Sequence, residues 1–323
     1  MKAAQIVGPE MIEIIDVKRP DISEAPPGSV LVKVQRSAIC GSDLPRFATH
    51  YSKDEYPLPV GLSIHECIGI IAETKSERFK EGDKVLSLPH DDRGLANFFL
   101  SNKDRTVMLP HRYDKETIVM SQPLGTVIWA MRKLGNMINQ DTVIVGQGPM
   151  GLLITHVLSN LGAKRIIVLD RLDYRLEVSK KMFATHCINV DKETAIEKIY
   201  EITSGKMADL VVEAVGHQMD TINQCIDMVK DGGTILAFGV PDEEMYAIFF
   251  KKLFYKNITL IGSVSPEVHT DFPLAMDMIT QGRINVSPII THTLPFTEAQ
   301  KGFEMFLNKT DNAIKIILDH EVT

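Results

Sequence analysis

The sequence predicts an α/β protein in two parts, a β-rich part and a doubly wound parallel sheet. Three observations carry this. The first hundred or so residues alternate short apolar runs with turn residues. A strand, glycine turn, helix and strand follow one another over 141–170, and further apolar runs recur, with helical segments between several of them, to about residue 285. The chain has 323 residues, 44% of them hydrophobic, enough for two domains of ordinary size.

Taken in order, "GSVLVKVQRSAIC" alternates apolar and polar side chains after a Pro-Pro-Gly turn and reads as a strand. "IHECIGIIAE" is a β-branched run, and in "EGDKVLSL" a Gly-Asp turn feeds another strand. The texture changes near residue 121, where "QPLGTVIWAMRKLG" has helical spacing. "DTVIVGQGPMGLLITHVLSNLGAKRIIVLD" is a βαβ unit whose apolar strands suit a sheet covered on both faces. "HCINV", "ADLVVEAVG", "GGTILAFGV" and "NITLIGSV" are the third to sixth strands of that sheet. Near the C-terminus "TEAQKGFEMF" reads as a helix with Thr297 as N-cap, because Gln300 follows three residues on. The terminal "AIKIILD" is a strand that completes the β-rich part, making it discontinuous: 1–122 with 286–323, around a nucleotide-binding region at 123–285.

Lys and Arg number 35 against 42 Asp and Glu, and no dense basic run carries interleaved aromatics, so a nucleic-acid partner is not expected. The N-terminus lacks a secretory pattern, and no stretch of eighteen apolar residues occurs, so a cytoplasmic protein without a membrane partner is expected. Cysteines at 40, 67, 187 and 225 have neither paired spacing nor the density of a disulfide scaffold.

"VGQGPMG" supplies Gly146, Gly148 and Gly151, with Pro149 and Met150 opening the helix. Glycine serves the tight turn, the close approach of a pyrophosphate and helix packing, while the helix N-terminus offers free N–H groups. The spacing alone is weak, since glycine is common at turns, but here it has the strand before it and the helix after. Asp170 ends the second strand nineteen positions past Gly151, where an acid accepts ribose hydroxyls, so the segment reads as a Rossmann dinucleotide site favouring NAD. Arg171 beside it keeps some NADP use open. Val215, Gly216, Phe238, Gly239 and Ser263 follow later strands and line the same crevice unless their glycines merely end strands.

A second set of residues, Cys40 with His65, Glu66 and Cys67, has the ligand types of a zinc site. His65 and Glu66 are adjacent, so in a regular strand they point to opposite faces. From spacing alone Cys40 is a ligand, a buried free thiol or, with His65 as base, a nucleophile; Cys67 lies in core-like "CIGII".

The order of "CGSD" (40–43), "HE" (65–66), "GDKV" (82–85), "QPL" (122–124), "VGQGPMG", "EAVG" (213–216) and "AIKIILD" resembles the zinc-dependent medium-chain alcohol and polyol dehydrogenases over nearly the whole chain. The resemblance implies a GroES-like catalytic domain beside the Rossmann domain. It implies Cys40 and His65 as zinc ligands, Glu66 as a carboxylate that ligates or exchanges with water, Ser42 as the group that hydrogen-bonds the substrate oxygen and passes on its proton, and Asp43 as the carboxylate orienting the histidine. It further implies hydride transfer between a secondary alcohol and NAD, giving a ketone, and a homodimer or homotetramer. Its rivals are a zinc-free NAD(P)H reductase of activated double bonds and a non-catalytic dinucleotide-binding protein.

Three departures matter. Pro45 stands where many relatives carry a relay histidine, which makes His50 a nearby alternative. Gln122 stands where the polyol branch often has glutamate, so a neutral amide oxygen is the candidate for completing the metal shell or binding substrate hydroxyls. No cysteine lies between Val85 and Pro110, where relatives hold a structural zinc, so one zinc per subunit is expected.

Overall fold

The computed structural model describes residues 1–49 and 51–322. His50, the alternative relay residue, lies outside the described residues. Backbone contacts group the chain into two compact units: 1–125 with 267–282 and 290–323, and 126–266 with 283–289.

The first unit is built on the strand Ser29–Ala38, buried along nearly its whole length because neighbouring strands pair with it on both edges. Glu66–Thr74 pairs antiparallel on one edge, while Phe98–Asn102 and Lys315–Asp319 share the other. Ile290–Pro295 lies beyond Lys315–Asp319, and Lys84–Ser87 and Thr106–Met108 extend the other side. The terminal "AIKIILD" run therefore pairs with the N-terminal β region as its apolar character required, with Ile317 opposite Ala38. Between the sheet and the helix Ala299–Asn308 lie Ile6, Val32, Ile39, Phe47, Phe303 and Ile316, and the rings of Phe47 and Phe303 are 5.1 Å apart.

Two details differ from the sequence expectation. Helix Ala299–Asn308 is entered through a 3-10 turn at Phe296–Glu298 with Glu298 at the cap, so Thr297 is not the N-cap. Gln300 is engaged elsewhere: its side chain accepts the Ile12 N–H at 2.6 Å and donates to the Glu10 carbonyl at 2.8 Å, tying the helix to the antiparallel hairpin of Lys2–Gly8 and Met11–Asp16. Helix Val268–Thr280, expected within the nucleotide-binding region, groups with the β unit. Its buried Phe272 ring lies so close to Gly125 that a Cβ there would stand 2.4 Å from Cδ1.

The second unit holds six parallel strands in the order His186–Asn189, Arg165–Asp170, Asp141–Val145, Ala208–Glu213, Val229–Ala237, Thr259–Gly262. Ranked along the chain this is 3-2-1-4-5-6, the doubly wound order in which the strand sequence reverses between the first and fourth strands. Branched apolar residues fill the inner strands; all five residues of Asp141–Val145 are buried, as crossover helices on both faces demand. The molecule is thus an α/β protein with a β-rich GroES-like part and a Rossmann sheet.

Candidate functional site

Cys40 lies just past the strand Ser29–Ala38, where the chain leaves the sheet and tightens into a 3-10 turn, Gly41–Asp43. The Cys40 N–H donates to Asp43 Oδ2 at 2.8 Å and the Asp43 N–H to the Cys40 carbonyl at 3.1 Å, which fixes the thiol's exit direction. On the neighbouring strand, regular pairing begins only at Glu66. His65 precedes it, so strict alternation of faces does not apply to this adjacent pair. Sγ of Cys40, a ring nitrogen of His65 and a carboxylate oxygen of Glu66 all lie within 4.8 Å of one another.

The donor set of thiol, imidazole and carboxylate is one that zinc takes at about 2.0–2.3 Å from each atom. One buried atom also fits an ion: Glu66 Oε2 has no hydrogen-bond partner, and its residue is fully buried. A buried oxygen left unpaired is costly, and a cation among these donors removes the cost. Burial pushes the Cys40 thiol up and the Glu66 charge adds to this, while Lys315 and hydrogen bonding with Ser42 draw it back. Burial likewise drives Asp43 well above the usual carboxylate range, with His65 opposing. A divalent cation reverses this balance, since it favours the deprotonated forms.

The other residues anticipated near this cluster take distinct places. Asp43 is 2% exposed and its Oδ1 stands 3.7 Å from His65 Nδ1, an electrostatic contact longer than a hydrogen bond. Ser42 is half-buried in the same turn, and Pro45 is exposed in the short helix Leu44–Ala48. Gln122 lies nearly buried in the first turn of helix Ser121–Arg132. Cys67 is buried in the core, where lack of solvation raises its thiol well above the ordinary range. Between Val85 and Pro110 the chain forms a 3-10 turn at His90–Asp92 and the strands Phe98–Asn102 and Thr106–Met108.

In the second unit the three glycines of the turn do different jobs. Gly146 has φ +93°, a conformation that side chains rarely adopt. A Cβ on Gly151 would stand 2.0 Å from the Gly146 carbonyl, so only glycine lets helix Pro149–Asn160 pack on its strand. Gly148 is different: a Cβ there would meet nothing nearer than Arg175 Nη1 at 4.0 Å, so its bareness is not demanded by packing and instead leaves the helix N-terminus open to a ligand. Pro149 and Met150 begin that helix, both half-buried. This open, donor-rich cradle fits a pyrophosphate.

Asp170 holds the turn together. Its Oδ2 accepts the Gln147 N–H at 2.7 Å and Oδ1 accepts the Leu172 N–H at 2.9 Å, leaving one further lone pair on each oxygen for a ribose hydroxyl. Arg171 points to the surface and pairs with Asp191 at 2.9 Å, its side chain 74% exposed. The basic residue facing the turn is Arg175, which sequence reading missed. Its Nη1 is 3.8 Å from Asp170 Oδ2, and its buried Nε has no hydrogen-bond partner. The available signal was helical: side chains in a first turn lean back toward the N-terminus, so the fourth residue after Arg171 returns to the strand end.

Val215, Phe238, Gly239 and Ser263 all follow the carboxyl ends of their strands. Glu213, also missed, shapes this edge: Oε1 accepts the Val215 and Gly216 N–H groups at 2.9 and 3.0 Å. Gly216 has φ +67°, and Gly239 packs so tightly on it that a Cβ would stand 2.2 Å from the Gly216 nitrogen. Ser263 Oγ is buried without a partner.

Comparison with known proteins agrees with this architecture. Residues 26–108 match the alcohol dehydrogenase GroES-like domain and residues 149–281 the zinc-binding dehydrogenase family. The chain is 27% identical to D-arabitol-phosphate dehydrogenase of Enterococcus avium, over 98% of this chain and 96% of that one. It is 28% identical to L-threonine 3-dehydrogenase of Bacillus velezensis, over 90% of each. Its fold is that of the alcohol dehydrogenase from Thermus sp. ATN1, with a TM-score of 0.86, 24% identity and 99% of each chain covered. With both characteristic domains in the family's order and relatives aligned along nearly its full length, this chain belongs to the zinc-dependent medium-chain dehydrogenase superfamily.

Proposed function

We propose that the protein is an alcohol oxidoreductase that transfers a hydride between a secondary alcohol of the polyol or sugar-derived class and NAD, with one zinc ion per subunit. The observation that carries this reading is the Cys40, His65 and Glu66 cluster with its orphaned carboxylate oxygen. Those three side chains have no shared task in a zinc-free double-bond reductase. The two aligned relatives are named for a polyol phosphate and for position 3 of threonine, which supports a hydroxyl-bearing substrate.

Cys40 and His65 would hold the zinc with Glu66, and Gln122 is the neutral oxygen donor proposed to complete the shell or meet substrate hydroxyls. When bound, zinc supplies Lewis acidity toward an alcohol or carbonyl oxygen, and NAD supplies the two-electron acceptor. From its half-buried place in the Cys40 turn, Ser42 would hydrogen-bond the substrate hydroxyl and relay its proton, releasing its own toward the cofactor ribose, water or another side chain. Asp43 keeps the cysteine turn closed and faces the His65 ring, restraining its orientation. Gly146, Gly148 and Gly151 admit the pyrophosphate, Asp170 accepts ribose hydroxyls, and Arg175 sets a positive charge toward the phosphates. Val215, Phe238, Gly239 and Ser263 are proposed to border the nicotinamide end of the cofactor, at the strand ends where doubly wound sheets bind ligands.

No described helix is long and apolar enough to cross a membrane, and we place the protein in the cytoplasm as a homodimer or homotetramer. The test is zinc stoichiometry on purified protein together with NADH formation from polyols, sugar alcohols, amino alcohols and secondary alcohols. The expected result is one zinc per chain and turnover with part of the panel. Full activity with far less zinc sinks the metal reading, and cofactor binding without turnover on any alcohol sinks the enzyme reading.

A further inference from the structure

Lys315 is the third residue of the C-terminal run "AIKIILD", in which every residue from 313 to 318 is buried. It is itself only 1% exposed. Lysine is almost never buried to this degree unless its charge is paired, and an aliphatic side chain would fill the same space without that requirement. Its Nζ donates to Glu66 Oε1 at 2.6 Å and to the Ile39 carbonyl at 2.9 Å. Ile39 immediately precedes Cys40, so one ammonium joins the backbone beside one candidate ligand to the side chain of another. Both members of the ion pair are sealed from solvent, at 1% and 0% exposure. The second oxygen, Oε2, is the one left without a partner.

We propose that Lys315 is a positioning residue of the metal centre: by holding Oε1 it restricts Glu66 to a single oxygen toward the ion and weakens that carboxylate's grip. The inference rests on the zinc reading above. The lysine acts through that carboxylate, to which its ammonium is bound at 2.6 Å. The weakened grip also keeps Glu66 displaceable, so a coordination position can open.

Substitution tests this with Co2+ as the probe, because its visible absorption weakens as the coordination number rises above four. Wild type, Lys315→Met, Lys315→Arg, Glu66→Gln and the combined Glu66→Gln, Lys315→Met protein are stripped of metal and titrated. Lys315→Met is expected to bind Co2+ about tenfold more tightly, the lower end of what outer partners of a metal site contribute, with weaker bands and slower turnover. Lys315→Arg keeps the wild-type affinity and bands, and the combined protein matches Glu66→Gln alone. If Lys315 only supports the fold, Lys315→Met loosens the metal, and the same loss appears in the Glu66→Gln background; either result overturns the proposal. Should Lys315→Met not fold, the combined protein buries no unpaired charge and carries the comparison, and any difference from Glu66→Gln overturns it. Failure of the wild type to bind Co2+ removes the zinc reading itself, whereas normal wild-type binding with an unchanged Lys315→Met spectrum removes only the role of Lys315.

Discussion

The glycine turn and its acid come from thirty consecutive residues, Asp141 to Asp170, whereas the candidate metal cluster and its lysine draw on residues 40, 65, 66 and 315. In the first centre the working parts are mainly backbone: a positive φ, a helix terminus and N–H groups gathered by one carboxylate. In the second they are side chains of opposite charge brought together by strand pairing across most of the chain, with Lys315 and Glu66 sealed from water. A local centre of this kind depends on residue size at single positions. A non-local one depends on charge balance, because any group removed leaves another buried without its partner.

Substitutions break or sharpen that contrast. The largest effect is expected at Cys40. Lewis-acid stabilisation contributes several kcal/mol, and about 1.4 kcal/mol is tenfold in rate, so Cys40→Ser should lower turnover by about a thousandfold or more. Metal analysis alongside kinetics checks this; full zinc content with near-normal rate would remove Cys40 from the ligand set.

Next come two glycines that look alike in sequence. Gly151→Ala forces a Cβ against the Gly146 carbonyl and should cost about 1–3 kcal/mol of stability, seen in thermal or urea unfolding. Gly148→Ala has room, so its stability should stay within about 0.5 kcal/mol of wild type while NAD binding weakens. Equal destabilisation by both changes would contradict the division of roles.

Asp170→Gly removes an acceptor whose bonds to a ribose are worth about 1.5–3 kcal/mol, so NAD affinity should fall roughly tenfold to a hundredfold. NADP should suffer less, and titration of both cofactors reads the ratio. An unchanged ratio would show that Asp170 serves only the Gln147 and Leu172 amides.

At neutral pH, where its charge does not change on unfolding, the smallest titration effect belongs to His320, another non-local assembly. Its Nε2 is 2.9 Å from Ser37 Oγ and its ring stacks on Phe296 at 4.3 Å between centroids. Burial, with Arg36 adding to it, pushes this imidazole down to about 3. In the unfolded chain it takes a proton below about pH 6.5, so the stabilising contribution is complete above that pH. It is lost as pH falls toward 3, at up to about 1.4 kcal/mol per pH unit. His320→Gln should flatten the stability profile between pH 7 and 5; an equally steep profile would place the acid sensitivity elsewhere.

The Rossmann half was legible in the sequence almost strand by strand, because each of its strands is a short apolar run bounded by turns, and its cofactor motif is contiguous. Cys40, His65 and Glu66 were legible as residue types, yet spacing left Cys40 balanced between ligand and core thiol, and only the order of motifs along the chain tipped it. Folding decided the rest. His65 could join Glu66 because the regular strand starts one residue later than alternation assumed. Arg175, not Arg171, faces the glycine turn because a helix begins at Asp173 and carries it back. Lys315 meets Glu66 only through pairing that spans 249 positions of the chain. By itself the sequence determined what could be read from local periodicity: which segments of the Rossmann half are strands, and the glycine turn. Only the tertiary structure decided which buried charges meet, since desolvation and pairing act through space and leave no periodic trace along the chain.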